Sequence, residues 1–206
     1  MSGGSELRSV VERSVGVYGT APTCYLSALA RLPDFTIDEF DEAVAAGALV
    51  RLRAMRYSVY TVPVEIVPVV AAATRSLARK NKPYRTRVGP NYQQYAGLIE
   101  EALDVRPLPA TKLRAIVDPE REWDDLFGGV LAMLAAEFRV VRTRTTGSWR
   151  SDRFLYARWD KWLPDVDPEA IDELEARREL VSRYVAAYGP VGVDDVKWWT
   201  GWTKAE

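Results

Sequence analysis

Between Leu131 and Leu163 the spacing of apolar residues changes character. Leu131, Met133, Leu134 and Phe138 recur at helical spacing, Val140, Arg142 and Arg144 alternate, and after Thr146-Gly147-Ser148 the chain returns as Phe154-Leu155-Tyr156-Ala157 before Trp159 and Trp162. A 3.6-residue period that gives way to a period of two across a glycine turn predicts a helix feeding a β-hairpin.

Similar punctuation divides the rest of the chain. After the small, polar Met1 to Ser5, Leu7, Val10 and Val11 predict a short helix, and Tyr25 to Leu32 a second one stopped by Pro33. Thr36 with Glu39 forms a capping-box signature ahead of Ile37, Phe40, Ala43 and Val44. Leu49 to Met55 and Ser58 to Val62 predict paired strands turning at Arg56-Tyr57, and Glu65 to Ala78 a helix interrupted by Pro68. Arg79 to Pro90 is expected to be a basic connector, 92–103, 110–117 and 123–138 helices, and 169–188 one long charged helix.

Three segments align with one another: Phe35 to Val44, Leu108 to Val117 and Val191 to Thr200. Each places an apolar anchor and a small capping residue before helical spacing, the skeleton of a helix-turn-helix unit. The predicted fold class is mainly α with short β-hairpins (α+β), arranged as tandem winged-helix modules at 1–88, 89–165 and 166–206, the last incomplete and led by a linker helix.

Composition narrows the chemistry. A single cysteine, Cys24, forms no internal disulfide, and the absence of histidine removes imidazole catalysis and the usual zinc ligands, so no metal or cofactor is expected. Cys24 lies on an apolar helix side and reads as core. No apolar run reaches the length of a membrane span, and the N-terminus lacks a signal-peptide pattern, so a cytoplasmic, nucleoid-associated protein is expected.

The net charge of −1 conceals segregation: basic residues cluster at 51–87 and 139–158, acidic ones at 34–42, 100–104, 118–125 and 165–179. Arg142, Arg144, Ser148, Arg150 and Arg153 surround Trp149 on the second hairpin, a mixture suited to duplex DNA, with the phosphate backbone and an adjacent groove as targets. Trp149 reads either as a groove wedge or as a residue packed on its own hairpin. Arg51, Arg53 and Arg56 on the first hairpin, and Lys112 and Arg114 early in a helix, are further DNA-binding candidates. Both ribbons are expected to project on one side of the molecule. Asp34, Asp38, Asp124 and Asp125 are the available carboxylates and read as capping or surface residues, so no catalytic residue is assigned.

Gly147-Ser148-Trp149-Arg150-Ser151 with Phe154 to Ala157, Tyr184 to Pro190 through Asp194 to Gly201, and Gly47 to Arg51 with Met55-Arg56 resemble, in the same order, the bacterial winged-helix DNA glycosylases of the AlkZ type and their DNA-binding relatives. The resemblance implies tandem winged helices around a concave duplex-binding surface. It also places the family's Gln-x-Gln motif at Tyr18-Gly19-Thr20, and the threonine and histidine of its first hairpin at Ser58 and Tyr60. Neither Tyr18 nor Thr20 offers an amide to place water, the Thr20 hydroxyl being only a weak substitute, and Tyr60 offers no imidazole. The favoured expectation is therefore a double-stranded DNA-binding protein, non-catalytic as it stands, with a DNA glycosylase acting on alkylated or crosslinked bases as the alternative. The resemblance further places a recognition helix where the chain ends, so that Trp198, Trp199 and Trp202 are expected to need covering by further sequence or by self-association.

Overall fold

The structure is a computed structural model. It describes residues 3–123 and 126–203, with side chains for 5–78, 85–123 and 126–203. Arg79, Lys80 and Lys82 of the basic connector lie outside the described side chains, and Asp124 and Asp125 outside the described residues.

The N-terminal part runs α1 (Gly3–Arg13), β1 (Val17–Tyr18), α2 (Thr23–Leu29), α3 (Ile37–Ala45), β2 (Leu49–Arg53), β3 (Val59–Pro63) and α4 (Val67–Thr74). Thr36 caps α3, its Oγ1 accepting the Glu39 N–H at 3.2 Å. Pro68 lies in the first turn of α4, so it starts that helix instead of interrupting it. The expected connector is helical, with α5 (Lys82–Val88) between two 3-10 turns, and Arg85 is ion-paired with Glu137.

The chain continues through α6 (Tyr92–Ala102), β4 (Leu108–Pro109), α7 (Ala110–Val117), α8 (Leu126–Ala136), β5 (Val140–Thr145), β6 (Phe154–Arg158) and α9 (Trp159–Trp162). Helix α8 feeds the β5–β6 hairpin, as the change of period predicts. Helix α10 (Glu173–Tyr188), capped by Asp172, and helix α11 (Val193–Thr200) complete the chain. The three aligned segments thus contain α3, α7 and α11. The class is α+β: helices around a small antiparallel sheet.

All six strands form one sheet in the order β1-β3-β2-β5-β6-β4. The two hairpins join where Arg51 on β2 faces Arg142 on β5. Because β2 and β5 are antiparallel, the hairpin tips at 54–58 and 146–153 lie at opposite ends of the sheet. The arginine ribbons do not project side by side as the sequence reading expects. Alternation along β5 is also broken: Arg142 pairs with Tyr156 and Thr145 with Phe154, one extra residue on β5, so Thr145 and not Arg144 returns to the phase of Arg142.

Helix α4 is buried on every side, and α10 lies against it through Ala176 and Leu180, both fully buried. Burying a leucine of this kind stabilises by about 1.5–3 kcal/mol. That docking covers the C-terminal aromatics from within. Trp199 is 9% exposed and stacks on Tyr184 at 4.3 Å, while Trp202 Nε1 donates to the Ala73 carbonyl at 3.1 Å. Only Trp198, at 68% exposure, is left open among the three tryptophans expected to need a cover.

A buried polar cluster lies between α2, α3 and the sheet. Tyr25 Oη donates to Asp41 Oδ1 at 2.7 Å and stands 3.1 Å from Thr145 Oγ1. Burial pushes the Tyr25 phenol up to about 12, the Thr145 contact opposing the rise and Asp41 reinforcing it. The folded state thus holds this proton more tightly than the unfolded chain, where tyrosine titrates near 10. Stability should be complete below pH 10 and fall by about 2–3 kcal/mol as pH rises to 12. Urea midpoints across that range should drop more steeply for the parent than for Tyr25→Phe.

Candidate functional site

A cleft of about 530 Å³ opens where β1, the tip of the first hairpin and the C-terminal helices meet. It depends on close backbone approaches. A Cβ on Gly16 would stand 3.1 Å from the Thr61 carbonyl, and one on Gly19 3.0 Å from the Tyr60 backbone, so these glycines let β1 lie against β3. The pairing sets Tyr18 opposite Tyr60, with ring centroids 4.9 Å apart. On the other wall Gly201, at φ +79°, ends α11 with its Cβ position 2.9 Å from Arg56 Cα, which seats that helix on the hairpin tip.

Tyr18, Tyr60, Tyr184, Tyr188, Trp198 and Trp199 supply the aromatic surface, and Ser14, Ser27, Arg31, Arg56 and Asp195 the polar groups. The Arg56 guanidinium lies 4.6 Å from the Trp198 ring centre, and Tyr188 Oη donates to the Ser14 carbonyl at 2.9 Å. Burial and the neighbouring Tyr18 raise the Tyr60 phenol. Burial and the charge of Asp195 raise that of Tyr184. Both phenols stay neutral at physiological pH and present hydroxyls and π-faces.

Asp195 is the one carboxylate on the lining; its Oδ2 accepts the Gly192 N–H at 2.8 Å. Val15, Arg56 and Tyr57, beside or on the cleft, have φ of +52°, +55° and +62°. Such conformations cost about 1–3 kcal/mol each and gather at functional sites. Among the described residues no group of three or more His, Cys, Asp or Glu is placed to hold a metal ion, and no helix is long and apolar enough to cross a membrane.

The arginines predicted from sequence separate into two groups. Arg51, expected at a phosphate, is 2% exposed: it donates to the Thr143 carbonyl at 2.7 Å and faces Phe154 and Phe40 at 5.1 and 5.7 Å. Its charge is committed to the interior. Arg53 donates to the Tyr57 carbonyl at 2.9 Å and lies over that ring, bracing the turn. Arg114 pairs with Asp118 at 3.3 Å, while Lys112 is exposed on α7. Arg142 is half-buried between Phe154 and Tyr156.

Arg144, Ser148, Arg150 and Arg153 are exposed. Among the described residues no carboxylate comes within ion-pair distance of Arg144, Arg150 or Arg153, whereas Arg139 and Arg158 are neutralised by Glu100, and by Asp104 and Asp160. The loop carrying them folds onto α2. Trp149 meets Tyr25 edge-on at 6.4 Å while the Arg150 guanidinium of its own hairpin lies 5.0 Å from its ring centre, and Asp152 Oδ1 accepts the Ala21 N–H at 2.7 Å. Helix α2, about 10 Å long, therefore has this loop at Ala21 and Tyr25 and the cleft at Ser27 and Arg31.

The cleft itself escapes the residue-by-residue sequence reading, which notes Tyr18 and Tyr60 only as departures and expects Trp198 to be covered as part of an unfinished module. The one legible signal is Gly16 and Gly19 bracketing a two-residue strand.

Helices around a shared antiparallel sheet, with an aromatic cleft between the first hairpin and the C-terminal helices, define an α+β protein. The family model for AlkZ-like DNA glycosylases matches residues 11–206, and the chain belongs to that family. Among solved structures it is similar to Streptomyces sahachiroi DNA glycosylase AlkZ, with a TM-score of 0.67 and 18% identity over 95% of this chain and 58% of that one. The chain thus spans less than two thirds of that protein. No curated protein matches it.

Proposed function

We propose that this chain is a DNA-repair protein that binds duplex DNA through the exposed arginines of its second hairpin and excises a damaged base held in the aromatic cleft. The observation that carries the reading is the pairing of Tyr18 with Tyr60 inside a 530 Å³ cleft. These are the positions where the family resemblance places the Gln-x-Gln motif and the hairpin histidine.

A base must leave the helical stack before its glycosidic bond can be reached, and a site that receives it holds its faces between aromatic rings. Tyr18, Tyr60 and Trp198 offer such faces, and rings of this kind favour a cationic, alkylated purine over a neutral one. That lesion is already a good leaving group and demands little acid catalysis. Duplex DNA following α2 from the arginine loop would bring its backbone to Arg31 and Arg56 at the cleft mouth. Arg144, Arg150 and Arg153 would neutralise phosphates, giving salt-sensitive binding with little sequence preference.

A reading as a DNA-binding protein without catalysis is favoured by one specific feature, the tyrosine at position 18 where an amide would orient water. Incubation with a duplex containing a single N7-methylguanine, followed by cleavage at abasic sites, separates the two. Strand scission that grows with protein concentration is the expected result. Tight, salt-sensitive binding with intact strands would leave the binding-only reading.

A further inference from the structure

We infer that Asp195, on the C-terminal helix α11, is the water-orienting catalytic carboxylate of the cleft; this rests on the excision reading above. Three observations converge on it. Asp195 is the one acidic residue on the cleft lining, which it shares with the paired rings of Tyr18 and Tyr60. Its Oδ2 is fixed by the Gly192 N–H at 2.8 Å, while no described residue donates to Oδ1. The helix that carries it is seated on the strained hairpin tip at Arg56, where a side chain on Gly201 would collide with backbone. An exposed carboxylate on the lining of an aromatic cleft, with one oxygen anchored by a backbone N–H, can hold a water molecule and face positive charge.

The step is a hydrolysis. The bond between the sugar C1′ and the base nitrogen breaks, and its electron pair leaves with the base, which departs neutral if it carried the alkyl cation. Cationic character develops on the sugar opposite the Asp195 carboxylate. The water oxygen forms the new bond to C1′, its proton passes to Asp195, and the carboxylic acid then returns that proton to solvent. No co-reactant beyond water is needed. The active site is on this account shared between the N-terminal hairpin, which holds the base, and the C-terminal helix, which delivers the water.

The test compares the parent chain with Asp195→Asn and Asp194→Asn. Asparagine at 195 can still accept the Gly192 N–H, so the helix cap survives. Asp194 is the neighbouring carboxylate, exposed like Asp195 but off the cleft lining and paired with Lys197 at 2.9 Å. Single-turnover excision from an N7-methylguanine duplex should slow by about 100-fold or more in D195N and stay within about twofold of the parent in D194N. Affinity supplies a readout that needs no turnover. A duplex with a cationic pyrrolidine in place of one nucleoside should bind the parent about tenfold more tightly than one with neutral tetrahydrofuran, and D195N should lose that preference.

A D195N protein that excises at the parental rate, or a parent that binds the two analogues equally, overturns the assignment. If the parent still excises in that case, the excision reading stands without Asp195. If the parent binds both analogues and excises nothing, the excision reading itself falls.

Discussion

Replacing Arg144, Arg150 and Arg153 together with alanine is expected to weaken duplex binding by about two to three orders of magnitude at 100 mM salt, on any sequence. The three guanidinium groups are exposed on and beside the second hairpin, with no described carboxylate in ion-pair range. Each phosphate they neutralise releases condensed counterions, so losing three contacts should reduce the slope of log K against log salt by about 2.7. Titrations of one labelled duplex at 50, 100 and 200 mM salt would measure both quantities. Arg158→Ala is the control: that guanidinium is clamped between Asp104 and Asp160 at 2.7 and 2.5 Å, so its loss should leave the slope unchanged. A triple variant with the parental slope would remove the hairpin from the interface.

Arg51→Ala is expected to be the most damaging single change to stability, by about 3–5 kcal/mol, the usual result of removing one member of a buried charged cluster. The guanidinium fills the space between Phe40 and Phe154 and ties β2 to β5 through the Thr143 carbonyl, the seam at which the two hairpins become one sheet. Its loss empties that space and leaves Asp41 without the cation 3.9 Å away. Arg51→Met should cost clearly less, because the thioether chain refills the volume and because the Arg51 Nε and one terminal nitrogen have no hydrogen-bond partner to lose. Urea midpoints would rank the three proteins. A methionine variant no better than alanine would mean that the charge, and not the packing, holds the seam. Neither substitution touches the exposed arginines, so whatever remains folded should bind DNA with the parental salt slope.

The contrast between Arg51 and Arg144 shows where sequence reasoning stops. Both are arginines in alternating strand patterns, and alternation states only that a side chain is on one face or the other. It does not say which face another element will cover. Helices α2 and α3 cover the face that Arg51 shares with Leu49, and an extra residue in β5 carries Arg144 out of the phase of Arg142. For the same reason the expected single basic side gives way to hairpin tips at opposite ends of the sheet, an outcome of strand order between segments some ninety residues apart.

What the sequence by itself determined is local: the Thr36 cap and its helix, the passage from α8 into the β5–β6 hairpin, the helical core of each aligned segment, and the resemblance to the AlkZ type that the family match bears out. Each depends on residues within a few positions of one another, where periodicity and capping act directly. Tertiary structure alone decided the cleft and the fate of the charges. Tyr18, Tyr60 and Asp195 line one cleft because two glycines admit a strand at van der Waals range and a third seats the last helix on a distant turn. Whether a guanidinium faces water or phenylalanine depends on which distant helix packs over it, and long-range packing of that kind leaves no periodic mark in the chain.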